Sequence, residues 1–242
     1  MKYLVFSDIH GNLESFEEIL EEAETIHPDM IISLGDVVGY GADPGKCIEL
    51  VEEYAQIKIC GNHDMAAAGL ISTADFNSVA RESIRWTSDI LNERQLKALK
   101  KYEPAYHYGD CIFSHASPLS PLKWEYILDI SQATKIFKHF NEKFIFIGHT
   151  HIPGIISYGE NEGARIIRNT LTHINPKKRY LINTGSVGQS RDGMNAGSFT
   201  VLDTVRGIIN QRRVKYDFTP TQGKILAAGL PGILASRLET GE

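Results

Sequence analysis

Five short apolar runs, residues 3–6, 30–32, 57–60, 111–113 and 144–147, each end at a cluster of small and polar residues. Their length and bounding residues predict buried strands. After the first run, Asn12 can cap a helix whose apolar residues Leu13, Phe16, Ile19, Leu20 and Ala23 recur at helical spacing. After the second, Asp43-Pro44 predicts another helix start, with Asp as cap and Pro at the first helical position, and Cys47, Ile48, Val51 and Tyr54 as its inner face. The third strand follows at residues 56–60. This β-α-β-α-β order implies parallel strands joined by right-handed crossovers.

The middle of the chain reads as helices over residues 77–91 and 92–99, the second opened by a capping box of Asn92 and Gln95. A strand pair over 105–114 turns at Gly109-Asp110, and a helix over 131–140 leads into the fifth apolar run. The remainder is strand-rich, at residues 155–158, 164–168, 180–183, 198–203 and 208–215, with a hairpin near Arg206-Gly207. A closing helix follows Thr219-Pro220 and ends at Gly229. No repeat, low-complexity segment or linker interrupts the pattern, so residues 1–242 are expected to form a single domain. The expected class is α/β, with two sheets packed face to face and helices outside.

Composition narrows this picture without changing it. A net charge of -5 gives no polyanion-binding surface, so stable nucleic-acid binding is not expected, and Lys177-Lys178-Arg179 beside Pro176 reads as a solvated turn. Three cysteines, an odd number, argue against a disulfide framework. No run approaches the ~20 apolar residues of a membrane span, and no basic segment with a long apolar stretch opens the sequence. A reducing cytoplasm is expected.

The chemistry lies where the apolar runs stop: Asp8-Ile9-His10, Gly35-Asp36, Gly61-Asn62-His63-Asp64, Ser114-His115 and Gly148-His149-Thr150-His151. Ligands in open α/β sheets sit at strand ends. Asp, His and Asn without thiolates suit manganese, iron, zinc, nickel or magnesium rather than a structural zinc-thiolate site. On a regular strand Asp8 and His10 point to one face and can reach one ion, and His149 and His151 repeat that spacing. Asp36, alone after its strand, has the placement of a carboxylate between two ions. Asn62 offers a neutral oxygen that leaves each metal electrophilic.

In this order, these motifs resemble the signature of the calcineurin-like metallophosphoesterases, spanning residues 8–151. Residues 35–44, 183–188 and the tail Gln189-Ser190-Arg191-Asp192-Gly193 are similar to its small bacterial and archaeal phosphodiesterase branch, which includes proteins labelled diadenosine polyphosphate hydrolases. Thr184 departs from the proline usual there and lies outside the ligand set. The resemblance implies a four-layer α/β/β/α sandwich. It also implies Asp8, His10 and His151 on one ion, Asn62, His115 and His149 on a second, and Asp36 bridging them.

The expected function is hydrolysis of phosphodiesters or nucleotide polyphosphates by a metal-bridging hydroxide, with manganese the favoured ion and a small, nucleotide-like phosphorylated substrate. His63, the motif imidazole without a ligand role, is the candidate to stabilise or protonate the leaving oxygen, with Asp64 orienting its ring. Arg191 offers a charge-assisted fork to phosphate, and Tyr40 a ring to stack on a base or cover the core. His27, His107, His139 and His173 belong to no motif and read as structural. A protein phosphatase, or a non-catalytic scaffold that retains the fold, are the competing readings. The first lacks an obvious docking domain; the second sits poorly with an intact ligand set.

Overall fold

The computed structural model describes residues 1–242. Strands β1 (Lys2–Phe6), β2 (Met30–Ser33) and β3 (Ile57–Lys58) alternate with helices α1 (Leu13–Ile26) and α2 (Pro44–Tyr54). Short α3 (Asn62–Ala67), α4 (Ser78–Ile90) and α5 (Glu93–Leu99) follow, then hairpin strands β4 (Ala105–Tyr108) and β5 (Cys111–Ser114). Helix α6 (Ile130–His139) leads to β6 (Phe144–Ile147). The later strands are β7 (Gly154–Gly159), β8 (Gly163–Ile167), β9 (Leu171–His173), β10 (Arg179–Asn183), β11 (Gly197–Asp203) and β12 (Ile208–Val214), and α7 (Thr219–Ala227) and α8 (Gly232–Thr240) close the chain.

The strands form two six-stranded sheets, ordered β3-β2-β1-β11-β12-β9 and β4-β5-β6-β10-β7-β8. The β1–β2, β2–β3, β5–β6 and β6–β10 pairs are parallel, as the crossover rule requires, and the other pairs are antiparallel. Alternation of side chains across each strand builds the layers. Tyr3 and Val5 of β1 join Phe113, Phe146 and Ile182 of the second sheet in an apolar layer between the sheets. Leu4 and Phe6 face the other way, onto Phe16, Ile19 and Val51 of α1 and α2. Ile112, Ile145 and Leu181 carry Ala133, Ile136 and Phe137 of α6 on the opposite side. The result is the expected four-layer α/β/β/α sandwich.

Several local expectations are corrected. Asp43 precedes α2 but makes no side-chain cap; its carboxylate instead accepts from Lys224 Nζ at 2.7 Å. The third strand shrinks to two residues: Ile59 still donates to Ser33 O at 2.9 Å, but Ile59 and Cys60 pair on their other side with Glu103. Arg179 is drawn out of the basic turn, its guanidinium over the Phe137 and Tyr158 rings. Strand β9 and helix α8 lie in stretches whose periodicity is too short or too weak to predict them. The Asn92–Gln95 capping box forms as expected, with both reciprocal bonds at 3.0 Å.

Candidate metal centre

The loops leaving β1, β2, β3, β5, β6 and β10 meet over one end of the two sheets. Backbone bonds zip them together beyond the strands: Asp8 N to Gly35 O, His10 N to Asp36 O and Gly11 N to Val37 O, each 2.9 Å, and Gly188 N to Asp8 O at 2.9 Å. The loops approach so closely that two positions admit only glycine. A Cβ on Gly61 would lie 2.0 Å from Asp36 Oδ1, and one on Gly148 would lie 2.1 Å from Ser7 Oγ and 2.5 Å from Asp8 Oδ2.

Asp8 and His10 do share one cluster, but the strand geometry expected of them is wrong. β1 ends at Phe6, and both residues adopt left-handed backbone, with φ of 57° and 50°. Asp36, His149 and His151 do the same, with φ of 51°, 66° and 61°. Such conformations are uncommon outside glycine. Here they turn side chains of successive loops inward rather than to alternate faces.

Three groups of close ligand atoms result: Asp8 with His10 and His151, Asp36 with His115 and His149, and His10 with Asp36 and His63. All of these residues are buried. Asp36 Oδ1 accepts from the His63 backbone N–H at 2.8 Å, leaving Oδ2 at 3.7 Å from His10 Nε2 and 3.3 Å from His115 Nε2. Asp8 Oδ1 lies 3.2 Å from His151 Nε2 and 3.7 Å from His10 Nε2.

The imidazoles are oriented by the backbone. Nδ1 of His10 donates to Val38 O at 3.0 Å, Nδ1 of His115 to Leu34 O at 3.0 Å, and Nδ1 of His151 to Gln189 O at 2.5 Å. A carbonyl can only accept, so each Nδ1 carries a proton and each Nε2 points into the centre, where a cation would take the place of any second proton. Metal-ligating histidines are held in this way.

The donors present fit two cations. His10 Nε2 faces His151 Nε2 at 3.1 Å, and His115 Nε2 faces His149 Nδ1 at 3.1 Å. Asp8 Oδ1 and Asn62 Oδ1 are buried without a hydrogen-bond partner. Converging lone pairs and orphaned oxygens call for positive charge, since buried acceptors without partners are costly. The titration of the groups agrees. Burial opposes charge on His115, yet the Asp36 and Asp8 carboxylates raise it to about 9. Burial pushes His149 down to about 3 and His10 well below its usual value. Burial also opposes ionisation of Asp8 and Asp36, but the surrounding imidazoles outweigh it and lower both.

His63 stands at the edge of the centre, its ring 4.6 Å from Tyr40, 5.2 Å from Phe76 and 4.8 Å from His10. Burial lowers it to about 4, and its Nδ1 has no partner. Asp64 does not orient this ring. Its carboxylate accepts from Val37 N at 2.9 Å, Val38 N at 3.2 Å and Gly61 N at 3.0 Å, tying the Asp36 loop to the start of α3. Burial, followed by the Asp36 charge, raises Asp64 to about 7.

Arg191 approaches Tyr40 Oη at 3.5 Å and Gln189 Oε1 at 3.2 Å, with its guanidinium 5.9 Å from the Tyr40 ring. Tyr40 is buried against His10 and so covers the centre rather than presenting a free stacking face. The sequence offered no sign of Tyr126, whose ring stacks on His149 at 4.1 Å and 16°, because it belongs to a loop with no periodicity. The Gln189 carbonyl was equally hidden, since a backbone acceptor leaves no residue-type signature.

Residues 1–207 match the calcineurin-like phosphoesterase superfamily domain. An uncharacterised protein of Methanocaldococcus jannaschii is 36% identical over 241 residues, covering 98% of this chain and 97% of its own. The crystal structure of a metallophosphoesterase from Sphaerobacter thermophilus is similar at a TM-score of 0.87 and 36% identity, over 100% of this chain and 99% of that one. A hypothetical protein from Pyrococcus horikoshii shares the fold at a TM-score of 0.81 and 16% identity, over 100% and 98% of the two chains. Sequence and fold agree over so much of the chain that the protein belongs to the calcineurin-like phosphoesterase superfamily, whose members are dinuclear metal-dependent phosphoester hydrolases.

Proposed function

We propose that this protein hydrolyses phosphodiesters or nucleotide polyphosphates at a pair of divalent ions, manganese foremost. The observation that carries the reading is the placing of Asp36 Oδ2 within 3.7 Å of an imidazole from each of the two ligand groups. Asp8, His10 and His151 would hold one ion, Asn62, His115 and His149 the other, and Asp36 would serve both. When bound, two such ions lower the pKa of water and neutralise charge on a phosphoryl group. The chain's own groups supply the rest. The carbonyls of Val38, Leu34 and Gln189 keep three imidazoles in the tautomer that offers Nε2 inward. His63 stabilises or protonates the leaving oxygen. Arg191 binds a non-reacting phosphate oxygen with a charge-assisted bond, and Tyr40 supports both His10 and His63 from behind. Three buried, unpaired cysteines suit a reducing compartment, and we assign the protein to the cytoplasm.

A panel of diadenosine polyphosphates, cyclic nucleotides, simple diesters and phosphoserine peptides, assayed with manganese, tests this reading. Diesters or dinucleoside polyphosphates are expected to show the higher kcat/KM, which compares transition-state binding rather than affinity. A preference for phosphopeptides overturns the substrate class. Full turnover in excess chelator, with metal loss verified by elemental analysis, overturns the dinuclear centre.

A further inference from the structure

Beside the candidate centre lies an apolar cleft of about 230 Å³. Its walls run from Ile127 and Leu128, in the loop before α6, across Ile152 and Pro153 to Ile166 on the edge strand β8. The cleft adjoins the centre along the chain at two points. Thr150, the single residue between candidate ligands His149 and His151, lines it, and Ile127 directly follows Tyr126, whose ring covers His149. Leu128, Ile166 and Ile152 are 73%, 63% and 47% exposed, so the chain itself does not fill or cover the cleft.

We infer that this cleft receives the apolar organic group, alkyl or aryl, of a phosphodiester whose phosphate occupies the neighbouring centre. The inference rests on the phosphodiesterase reading above and narrows it. Size is the first reason. A cleft below the ~300–1,000 Å³ of pockets that enclose a whole drug-sized ligand takes one substituent, not a dinucleotide. Chemistry is the second. The polar side chains in the wall are already engaged: Asn183 Nδ2 donates to Gly148 O and Thr150 Oγ1, both at 2.8 Å, and Asn183 Oδ1 accepts from Gly185 N at 2.9 Å. Thr150 Oγ1 in turn donates to Ile152 O at 3.3 Å. No donor among these side chains is left to pair with the acceptors on the edge of a nucleobase, and burying such an edge unpaired is unfavourable. An alkyl or aryl group carries no such edge. Its burial beside the centre draws on the same apolar transfer that exposed Leu128, Ile152 and Ile166 leave unused.

The test keeps the leaving group constant. Methyl, hexyl and thymidine esters of nitrophenyl phosphate are compared on the manganese-loaded full chain, with wild type and Leu128→Asp side by side. Leu128 is the most exposed wall residue, so the charge enters the cleft without disturbing the core. In wild type, kcat/KM is expected to rise about fourfold for each methylene that enters the cleft, and at least ~10-fold from methyl to hexyl, with no comparable gain for thymidine. In Leu128→Asp the hexyl-to-methyl ratio is expected to collapse towards one. Calorimetric titration of hexyl and methyl phosphate onto both proteins reads the same preference without turnover. If no ester is hydrolysed but hexyl phosphate still binds preferentially and Leu128→Asp removes the preference, the cleft assignment stands and the diesterase reading falls. Hydrolysis, or binding, with equal preference for methyl and hexyl overturns the cleft assignment, as does a thymidine ester favoured over hexyl. A wild-type dimer that Leu128→Asp dissociates assigns the face to a second copy and also overturns it.

Discussion

Six of the eight non-glycine residues with left-handed backbone, Asp8, His10, Asp36, Tyr40, His149 and His151, surround the candidate centre. Each such conformation costs roughly 1–3 kcal/mol and persists only where its surroundings hold it. Here the holding is done by bonds such as Asp8 N to Gly35 O and His10 N to Asp36 O, so the strain is spread through the loop zipper. Asp36 is the residue on which both ligand groups depend. Asp36→Asn keeps the acceptor for the His63 N–H but removes the charge proposed to hold two cations together. It is expected to abolish most turnover and weaken ion binding, read by elemental analysis of the purified variant; two retained ions with normal turnover exclude bridging. His63→Ala is expected to slow an alkyl or nucleoside ester by ~10²–10⁴ while sparing a nitrophenyl ester, whose anion leaves without a proton. Equal losses on both esters at saturating manganese assign His63 a purely structural role.

Among the elements, short strands deliver the side chains and glycines let the loops close. Gly61 sits just before α3, where any Cβ would overlap Asp36. Gly61→Ala is therefore expected to displace Asp36, reducing turnover and ion content together, although its own φ of -95° suits alanine. A variant with wild-type ion content and rate shows that the loop can give way. Far from the centre, α5 is held at its start by reciprocal bonds between Asn92 and Gln95. Asn92→Ala is expected to cost about 1 kcal/mol in denaturant unfolding without changing kcat, because a lost cap destabilises the helix alone. The same contrast explains which elements were legible. The α5 box needs only three residues in order, whereas Asp43 carries the cap signature and is diverted by Lys224, 181 positions later in the chain.

For the molecule as a whole, two ties matter: the cations that the buried Asp and His groups of the two sheets could hold, and the anchoring of the closing helices. Ions that bind only the folded chain stabilise it by ~2.7 kcal/mol at 100 times their dissociation constant. Manganese is thus expected to raise the melting temperature by roughly 5–10 °C over the chelated protein, at ~2–4 °C per kcal/mol for this size. An unchanged melting temperature at millimolar manganese contradicts the ligand set. Helix α7 is tied down by Lys224, whose ammonium meets Glu14 Oε1 at 2.5 Å and Asp43 Oδ2 at 2.7 Å. Burial alone would raise Glu14, but the bonds from Lys224 and Thr221 lower it below 4.5. A depressed carboxylate contributes stability above its unfolded pKa and loses it as pH falls through the folded value. Burial would lower Lys224, but Asp43 and Glu14 raise it above 10.5, so its share is present below that value and fades at higher pH. Glu14→Gln is therefore expected to lower stability at pH 7 and flatten its decline below about pH 4.5, measured by urea unfolding across that range. Parallel curves for variant and wild type rule this tie out.

The fold class, the parallel early strands and the four layers were all legible along the chain. The apolar run at residues 3–6, helical spacing in 13–23 and capping at Asn92 are local patterns, and burial of their apolar faces leaves few alternatives. The motif residues were legible too, because catalytic side chains cluster where strands end. Which of them meet, and how, came only with tertiary structure. Asp8 and His10 share a cluster through left-handed turns braced by the β2 loop, not through strand alternation. Asp64 stands beside His63 in sequence yet spends its carboxylate on the backbone of Val37, Val38 and Gly61. Tyr126 on His149 and the cleft beyond it join loops with no common pattern. Periodicity reports what a residue does with neighbours a few positions away. Contacts between loops from different strands depend on long-range packing and close approach, and no local pattern encodes them.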